Sequence, residues 1–311
     1  MGALDPARPV LVTGGAGFIG SHLVARLLAD GESVVVLDDL SGGEPSRLPP
    51  DVPLIEADIA DPATADAIAA VRPRAIIHAA AQISVPHSMV DPARDREVNL
   101  IGTQHVIAGA RAAGNARVVF LSSGGGIYGE TPVPATEDTL PRPKSYYSVH
   151  KYAAEQYLEL SGLPYAIARL ANVYGPRQRA GTEGAVAAIF AERLQGGLPI
   201  TIHGDGEQRR DFVHVADVAA ALTTLLRTPQ SGVWNVGSGR AVTINALLAA
   251  AERAFGPAVS IHHAPARPGD VITSTLDVAK IARDLGWRAQ IELEEGIRTL
   301  RESNGEHGAA C

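Results

Sequence analysis

The stretch Val12-Thr13-Gly14-Gly15-Ala16-Gly17-Phe18-Ile19-Gly20 decides how the rest of the chain reads. It follows the apolar run Val10 to Val12 and opens an apolar-periodic segment from Ile19 to Leu28. Strand, tight glycine turn and helix are therefore expected in succession. Gly14, Gly17 and Gly20 recur at three-residue intervals, where a dinucleotide's pyrophosphate approaches the backbone at a helix N-terminus. A Cβ there would block the turn or the phosphate. A second apolar run, 33–37, ends in Asp38, 18 positions past Gly20. The acid that binds an adenosine ribose stands roughly 20 positions on. A glycine triplet alone also serves ordinary packing, but in this setting it reads as an NAD site.

Outward from this turn, short apolar runs alternate with helical patterns. Strands are expected at 9–13, 33–37, 53–56, 74–78, 117–121 and 165–170, with helices near 18–30, 62–71, 94–113 and 147–161. Such alternation predicts a Rossmann-type, doubly wound parallel sheet with helices on both faces and ligands at the carboxyl ends of its strands. After about 170 the pattern loosens. Helical stretches (184–196, 215–227, 243–255, 277–285) alternate with short strands (199–203, 233–236, 259–263) and Pro/Gly turns. We read residues 1–170, with about 210–238, as the NAD-binding domain. About 171–209 and 239–311 form a smaller α/β substrate lobe.

Composition narrows the class. The chain has 311 residues, 46% hydrophobic and 20% charged, which fits a soluble globular protein with ample core. A net charge of −7 argues against nucleic acid as a partner. An anionic substrate would therefore need local arginines. The single cysteine, Cys311, allows no internal disulfide, as in a reducing compartment. The N-terminus lacks a signal peptide's layout, and no run approaches the ~20 apolar residues of a membrane span. A cytoplasmic location is expected.

Tyr147 and Lys151 form Tyr-x-x-x-Lys at the start of YSVHKYAAEQYLEL. Positions i and i+4 share a helix face, so the ammonium can lie near the phenol. A nearby cation favours the phenolate and would lower the phenol from its usual value of about 10 toward a general-base range. Spacing alone would equally fit an exposed helix pair, and Tyr146 and Tyr152 lie close by. Placement after the glycine turn favours the chemical reading.

Taken together, VTGGAGFIGSH, HAAAQISV, VNLIGT, LSSGGGIYGE, YYSVHK, LANVYGPRQ and RRDFVHVADVA resemble the extended short-chain dehydrogenases/reductases. Within that family the chain is most similar to the UDP-glucose (UDP-galactose) 4-epimerases. The resemblance runs in order from about residue 9 to 300. It implies an NAD-dependent epimerase that acts through a 4-keto intermediate and assembles as a homodimer through the helices at 94–113 and 147–161. Tyr147 would be the general base and acid on the sugar's 4-hydroxyl, and Lys151 would also bind the nicotinamide ribose. Gly14, Gly17, Phe18, Ile19 and Gly20 would hold the pyrophosphate, with Asp38, followed by Asp39, at the adenosine ribose. A carboxylate there favours NAD over NADP. Asp58 and Ile59 match the pair flanking the adenine. Ala79, Ala80, Ala81 and Ser122 would line the cofactor, and Asn99 matches an asparagine on the cofactor side. On the substrate side, Asn172, Arg210 and Arg267 would hold the UDP diphosphate, for which guanidinium forks are suited. Asp270 would take the uridine ribose, and Val186 and His203 would line the uracil pocket. The blander readings are an ion pair with Asp211 for Arg210, a solvated loop charge for Arg267 and a strand-end histidine for His203.

Two departures from the family pattern stand out. Epimerases of this kind carry Ser or Thr as the third residue after the fifth strand, whereas here Leu121-Ser122-Ser123-Gly124-Gly125-Gly126 places glycine there. Either Ser123 shifts into the role or the hydroxyl is absent. Leu170 also replaces a tyrosine that commonly precedes the Asn motif. The same glycines bear on the rival reactions. The family's 4,6-dehydratases carry an Asp-Glu pair at this loop, and its UDP-glucuronate decarboxylases also use an acid; Gly124 to Gly126 supply none. Ser274, four residues past Asp270, matches the family's size gate and leaves room for N-acetyl sugars beside UDP-glucose and UDP-galactose. A dehydratase, an epimerase of another UDP-sugar such as UDP-glucuronate, and a non-catalytic NAD-binding regulator are the alternatives. Histidine and carboxylate spacing suggests no metal site.

Overall fold

The computed structural model describes residues 7–131, 133–181, 185–266 and 271–301. Its strands are β1 (Val10–Thr13), β2 (Val34–Asp38), β3 (Leu54–Glu56), β4 (Ala75–His78), β5 (Arg117–Ser123), β6 (Tyr165–Leu170), β7 (Asn172–Tyr174), β8 (Ile200–His203), β9 (Arg209–His214), β10 (Val233–Val236), β11 (Ala241–Thr243), β12 (Ile261–Ala264) and β13 (Thr273–Ser274). Seven of them form one parallel sheet in the order β10-β6-β5-β4-β1-β2-β3. The strand order reverses between β1 and β4, which opens a crevice beyond their carboxyl ends. The glycine turn leaves β1 there, Ala79 to Ala81 leave β4, and Ser122 and Ser123 end β5 beside them.

The sheet is apolar on both faces because helices cover both. Val10, Leu11 and Val12 are wholly buried, the continuous apolar strand of a doubly covered parallel sheet. On one face the helices Phe18–Ala29 and Val215–Arg227 pack through Leu23, Val24, Leu27, Leu222 and Leu225. On the other, the helices Ala63–Val71, Thr103–Ala112 and Tyr146–Glu159 contribute Ile68, Val106, Ala154 and Leu158. Each fully buried Leu or Ile contributes about 1.5–3 kcal/mol relative to exposure. The expected helix over 94–113 is broken into Pro92–Arg96, a π-helical turn Glu97–Gly102, and Thr103–Ala112. Such wide turns gather at functional sites, and this one carries Asn99.

The smaller lobe departs further from expectation. β9, whose residues the division above placed with the NAD-binding domain, is instead the spine of the smaller lobe's sheet, pairing with β7 and β13 in parallel and with β11 antiparallel, while β8 and β12 pair separately. The segment Arg209–His214 had the look of an approach to the following helix, but it is a strand. The N-cap of that helix is His214, whose Nδ1 accepts from Ala216 N at 3.3 Å. Asp217 accepts backbone hydrogen bonds from Gln290 and Ile291.

A buried polar chain ties the site to the sheet. Ser122 Oγ donates to Glu155 at 2.5 Å, and Arg169 donates to Glu155 and to Tyr128 Oη. Tyr128 Oη donates to Asn235 Oδ1 at 2.9 Å. Each member has partners, so the chain rigidifies rather than strains the interior. Among the described residues, no helix is long and apolar enough to cross a membrane, and no three His, Cys, Asp or Glu side chains gather to hold a metal ion.

Candidate active site

A cleft of about 990 Å³ runs along the carboxyl ends of β1, β2, β4 and β5 and out toward the smaller lobe. At its inner wall stands the glycine turn. Gly14 has φ +69°, and a Cβ on it would sit 2.6 Å from Ala80 N. A Cβ on Gly20 would collide with Gly14 O. Neither position can carry a side chain while the helix Phe18–Ala29 starts against the turn. Gly14, Gly17, Phe18, Ile19 and Gly20 all line the cleft.

Asp38 ends β2 at the same wall and is held in place by the turn itself. Its Oδ2 accepts from Ala16 N at 2.9 Å and its Oδ1 from Leu40 N at 2.9 Å. Burial raises its carboxyl above the usual value, and these two hydrogen bonds oppose the rise. Asp39 accepts from Ser41 N and Oγ. Asp58 accepts from Arg94 Nη2 at 2.8 Å and from Ala60 N; burial pushes its carboxyl up, but these donors outweigh it and the net shift is downward. Asp39, Asp58, Ile59 and Ala79 to Ala81 all line the cleft. Asn99 lies beneath it, donating to Gln82 O and accepting from Gln82 N, and so fixes the backbone that follows Ala81. Backbone donors at a helix start, a glycine cradle and a held carboxylate suit a dinucleotide's diphosphate and ribose.

The catalytic candidates lie at the centre. Tyr147, in the first turn of the helix Tyr146–Glu159, lines the cleft together with Ser123, whose hydroxyl favours the ionised form of the phenol. Ser123 also caps the short helical turn after β5, accepting from Gly126 N at 3.2 Å. Of the two alternatives left open by the sequence, Ser123 is the loop hydroxyl that lines the cleft with Tyr147 and acts on its phenol. Ser122 lines the cleft but turns its hydroxyl to Glu155. The expected lowering of Tyr147 is not found in the protein alone. Burial pushes the phenol up to about 12, the Ser123 hydrogen bond opposes this, and the Asp95 carboxylate adds to the rise. Lys151 is 3% exposed, with Nζ 4.0 Å over the Phe120 ring. Burial brings it down to about 7, against the pull of Glu155 and Asp95.

The smaller lobe supplies the outer wall. Asn172 begins β7, Arg210 lies in β9, and Ser274 in β13 pairs in register with Arg210. All three line the cleft. Asp211 does not form the ion pair that would have made Arg210 merely structural. Its carboxylate accepts from Ser238 N and Oγ, Gly239 N and Leu276 N. Gly124 and Gly125 differ in surroundings. A Cβ at Gly124 would lie 2.8 Å from both Leu276 Cδ atoms, whereas one at Gly125 would make ordinary contacts, 3.5 Å from Ser274 Oγ and 3.8 Å from Asn172 Oδ1.

Val186 and His203 fall outside the cleft lining. Val186 opens the helix Val186–Gln195 against the lobe's core, and His203 ends β8 beside Pro265. Arg267 and Asp270 lie outside the described residues. Several neighbours were not anticipated. Gln82, Arg47 and the run Arg177, Gln178 and Arg179 line the cleft, and Arg179 crosses its mouth to Glu44 at 2.5 Å. The sequence signal for the last group was the Pro-Arg-Gln run after the Asn motif.

Comparison with known proteins agrees with this geometry. Residues 10–237 match the model of the NAD dependent epimerase/dehydratase family. The UDP-glucose 4-epimerase of Thermotoga maritima, solved with UDP-glucose, is 39% identical and superposes with a TM-score of 0.92 over 96% of this chain and 99% of that one. The Thermus thermophilus UDP-glucose 4-epimerase, solved with NAD, is 42% identical with a TM-score of 0.91, covering 97% of this chain and 100% of that one. The UDP-N-acetylglucosamine 4-epimerase of Methanobrevibacter ruminantium, solved with UDP-N-acetylmuramic acid, is 30% identical with a TM-score of 0.90, covering 96% and 99%.

Proposed function

The chain belongs to the NAD-dependent epimerase/dehydratase family, and we propose that within it the protein is a UDP-sugar 4-epimerase interconverting UDP-glucose and UDP-galactose. The observation that carries this reading is the Ser123–Tyr147 pair at the centre of a cleft walled by the glycine turn on one side and by Asn172 and Arg210 on the other. NAD, when bound, takes up and returns the hydride at the sugar's C4. Tyr147 Oη accepts the 4-hydroxyl proton and later gives it back. Ser123 Oγ, which favours the ionised phenol, steadies the oxygen that changes charge. With its phenol near 12, Tyr147 is scarcely ionised at neutral pH, and since only the phenolate can accept the proton, the step needs positive charge beside it to favour that form. Asn172 and Arg210 anchor the diphosphate while the sugar turns over, and Asp38 favours NAD over NADP at the adenosine ribose.

Elimination or decarboxylation needs a further acid or base, and this loop offers the cleft only glycine, at 125 and 126, with glycine again at 124 behind them. Ser274, beside Gly125, leaves room for an N-acetyl group, so the UDP-GlcNAc/UDP-GalNAc pair is included in the proposed range. We assign the seven-stranded sheet and its helices to NAD and the smaller lobe to the UDP-sugar. The proposed homodimer would pair through the outer face of the helix Tyr146–Glu159, where Val149, Tyr157 and Leu160 are exposed beside a groove lined by Pro143, Tyr152 and Gln156.

Incubation with a panel of UDP- and dTDP-sugars, resolved by NMR, tests the assignment. Interconversion of the C4 epimers without net NADH formation is expected, and a 4-keto-6-deoxy product would overturn it. Tyr147→Phe is expected to abolish turnover with NAD still bound. Arg210→Gln is expected to weaken UDP binding without releasing NAD.

A further inference from the structure

Beneath the catalytic helix lies a carboxylate that the proposed reaction does not use. Asp95 is wholly buried, and its Oδ2 lies 2.6 Å from His150 Nδ1. Its Oδ1 accepts from Gln82 Nε2 at 2.7 Å and from Asn99 Nδ2 at 2.9 Å. His150 stands on the helix of Tyr147, three residues on and directly before Lys151. Gln82 in turn lines the cleft.

A buried carboxylate persists only where donors compensate its charge. Gln82 and Asn99 are neutral; His150 is the donor that can carry a positive charge. The arrangement sits where charge matters most, because Asp95 acts on both members of the Tyr147/Lys151 pair, opposing the phenolate and favouring the ammonium. Other titratable groups pack around these residues, and the Tyr146 ring stacks on His150. Glu155, on the same helix, is bound by Arg169 of β6 and Ser122 of β5. His78 of β4 is held by Thr13 and Thr103 and stays neutral, burial depressing it to about 3. His105 turns to Ile59 O, and Arg94, beside Asp95, turns to Asp58. His87 and Lys144 line the cleft side.

We propose that His150 and Asp95 are a positioning pair for the Tyr147 base, in which His150 offsets the buried Asp95 charge that faces both Tyr147 and Lys151. The inference rests on Tyr147 being the base, as in the proposed function. His150 touches neither sugar nor cofactor in this scheme; it acts through Asp95.

Opposite changes at the two residues test it. The dependence of kcat on pH is measured for wild type, His150→Gln and Asp95→Asn with UDP-glucose. His150→Gln leaves the Asp95 charge less compensated, so the acid limb is expected to move up by about one pH unit, a loss of about tenfold at a fixed pH below the limb. Asp95→Asn removes the charge, so the limb is expected to move down. Displacements of opposite sign support the pair. Two unmoved limbs, or two that move together, overturn it, because simple loosening has no sign. If Asp95→Asn does not fold, His150→Lys replaces it. A lysine that restores the wild-type limb supports charge compensation, and one that behaves like glutamine overturns it. If wild type turns over no UDP-sugar, the functional reading fails separately. The pair is then tested by ultraviolet titration of the Tyr147 phenolate against Tyr147→Phe, with the same opposed shifts expected and their absence decisive.

Discussion

The Ser123 hydroxyl acts on the Tyr147 phenol, favouring its ionised form, although one lies at the end of β5 and the other on a helix 24 positions later. Gly126 N–H caps onto Ser123 Oγ, and a Cβ at Gly126 would crowd Ser148 Oγ at 2.6 Å and Ser123 Oγ at 3.1 Å. Ser123→Ala is therefore expected to lower kcat by about a hundredfold with little change in KM, since it removes a group acting on the transferred proton. Ser123→Thr is expected to retain most activity. Steady-state kinetics on both variants checks this, and an unaffected Ser123→Ala enzyme would remove Ser123 from the mechanism.

Stability is expected to fall in mild acid. Burial depresses His78 to about 3 and His214 to about 4, whereas in the unfolded chain both titrate near 6.5. Between those values the unfolded state binds more protons than the native state, so stability declines as pH falls through that window. Burial raises Asp38 and Asp211, which acts in the opposite sense. Thermal melts from about pH 7 to about pH 5 on wild type and His214→Gln isolate the histidine contribution. The variant should lose less Tm over the interval than wild type; equal losses would refute the assignment.

Ser274→Tyr is expected to separate the two sugar pairs. Ser274 is 6% exposed and pairs in register with Arg210, so a ring there would fill the space facing Gly125. If wild type accepts UDP-GlcNAc, the variant should lose at least about tenfold in kcat/KM for it while keeping UDP-glucose, a steric discrimination of the usual size for a pocket. Parallel assays of both substrates decide the matter.

The adjacent glycines 124 and 125 are expected to respond unequally. Gly124→Ala drives a Cβ against Leu276, itself 2% exposed, and overpacking of this kind costs about 1–3 kcal/mol. Gly125→Ala meets only ordinary contacts and is expected to stay within about 0.5 kcal/mol of wild type. Urea denaturation of both variants measures the difference.

Much of this was legible in the sequence, and the limits have physical reasons. The glycine turn, Asp38 and the alternating runs point to the seven-stranded sheet because each is local and each has its own period. Tyr147 and Lys151 stand out because their spacing is helical. β7, β9, β11 and β13 did not, since each is two to six residues long and is held by pairing with remote partners. The behaviour of Tyr147 ran against expectation for a similar reason. Its shift comes first from burial and from Asp95, neither of which neighbours it in sequence, while Lys151 turns toward Phe120. The Asp95–His150 contact joins residues 55 positions apart and leaves no periodic trace.

The contrast between Gly124 and Gly125 bears on how such a protein could change trade. Position 124 is closed by the core, but position 125 faces the cleft between Ser274 and Asn172. A side chain introduced there would enter the cleft without moving the backbone. Of the two acids that the family's dehydratases carry at this loop, the scaffold has a place for one at 125, whereas an acid at 124 would require the core around Leu276 to be rebuilt.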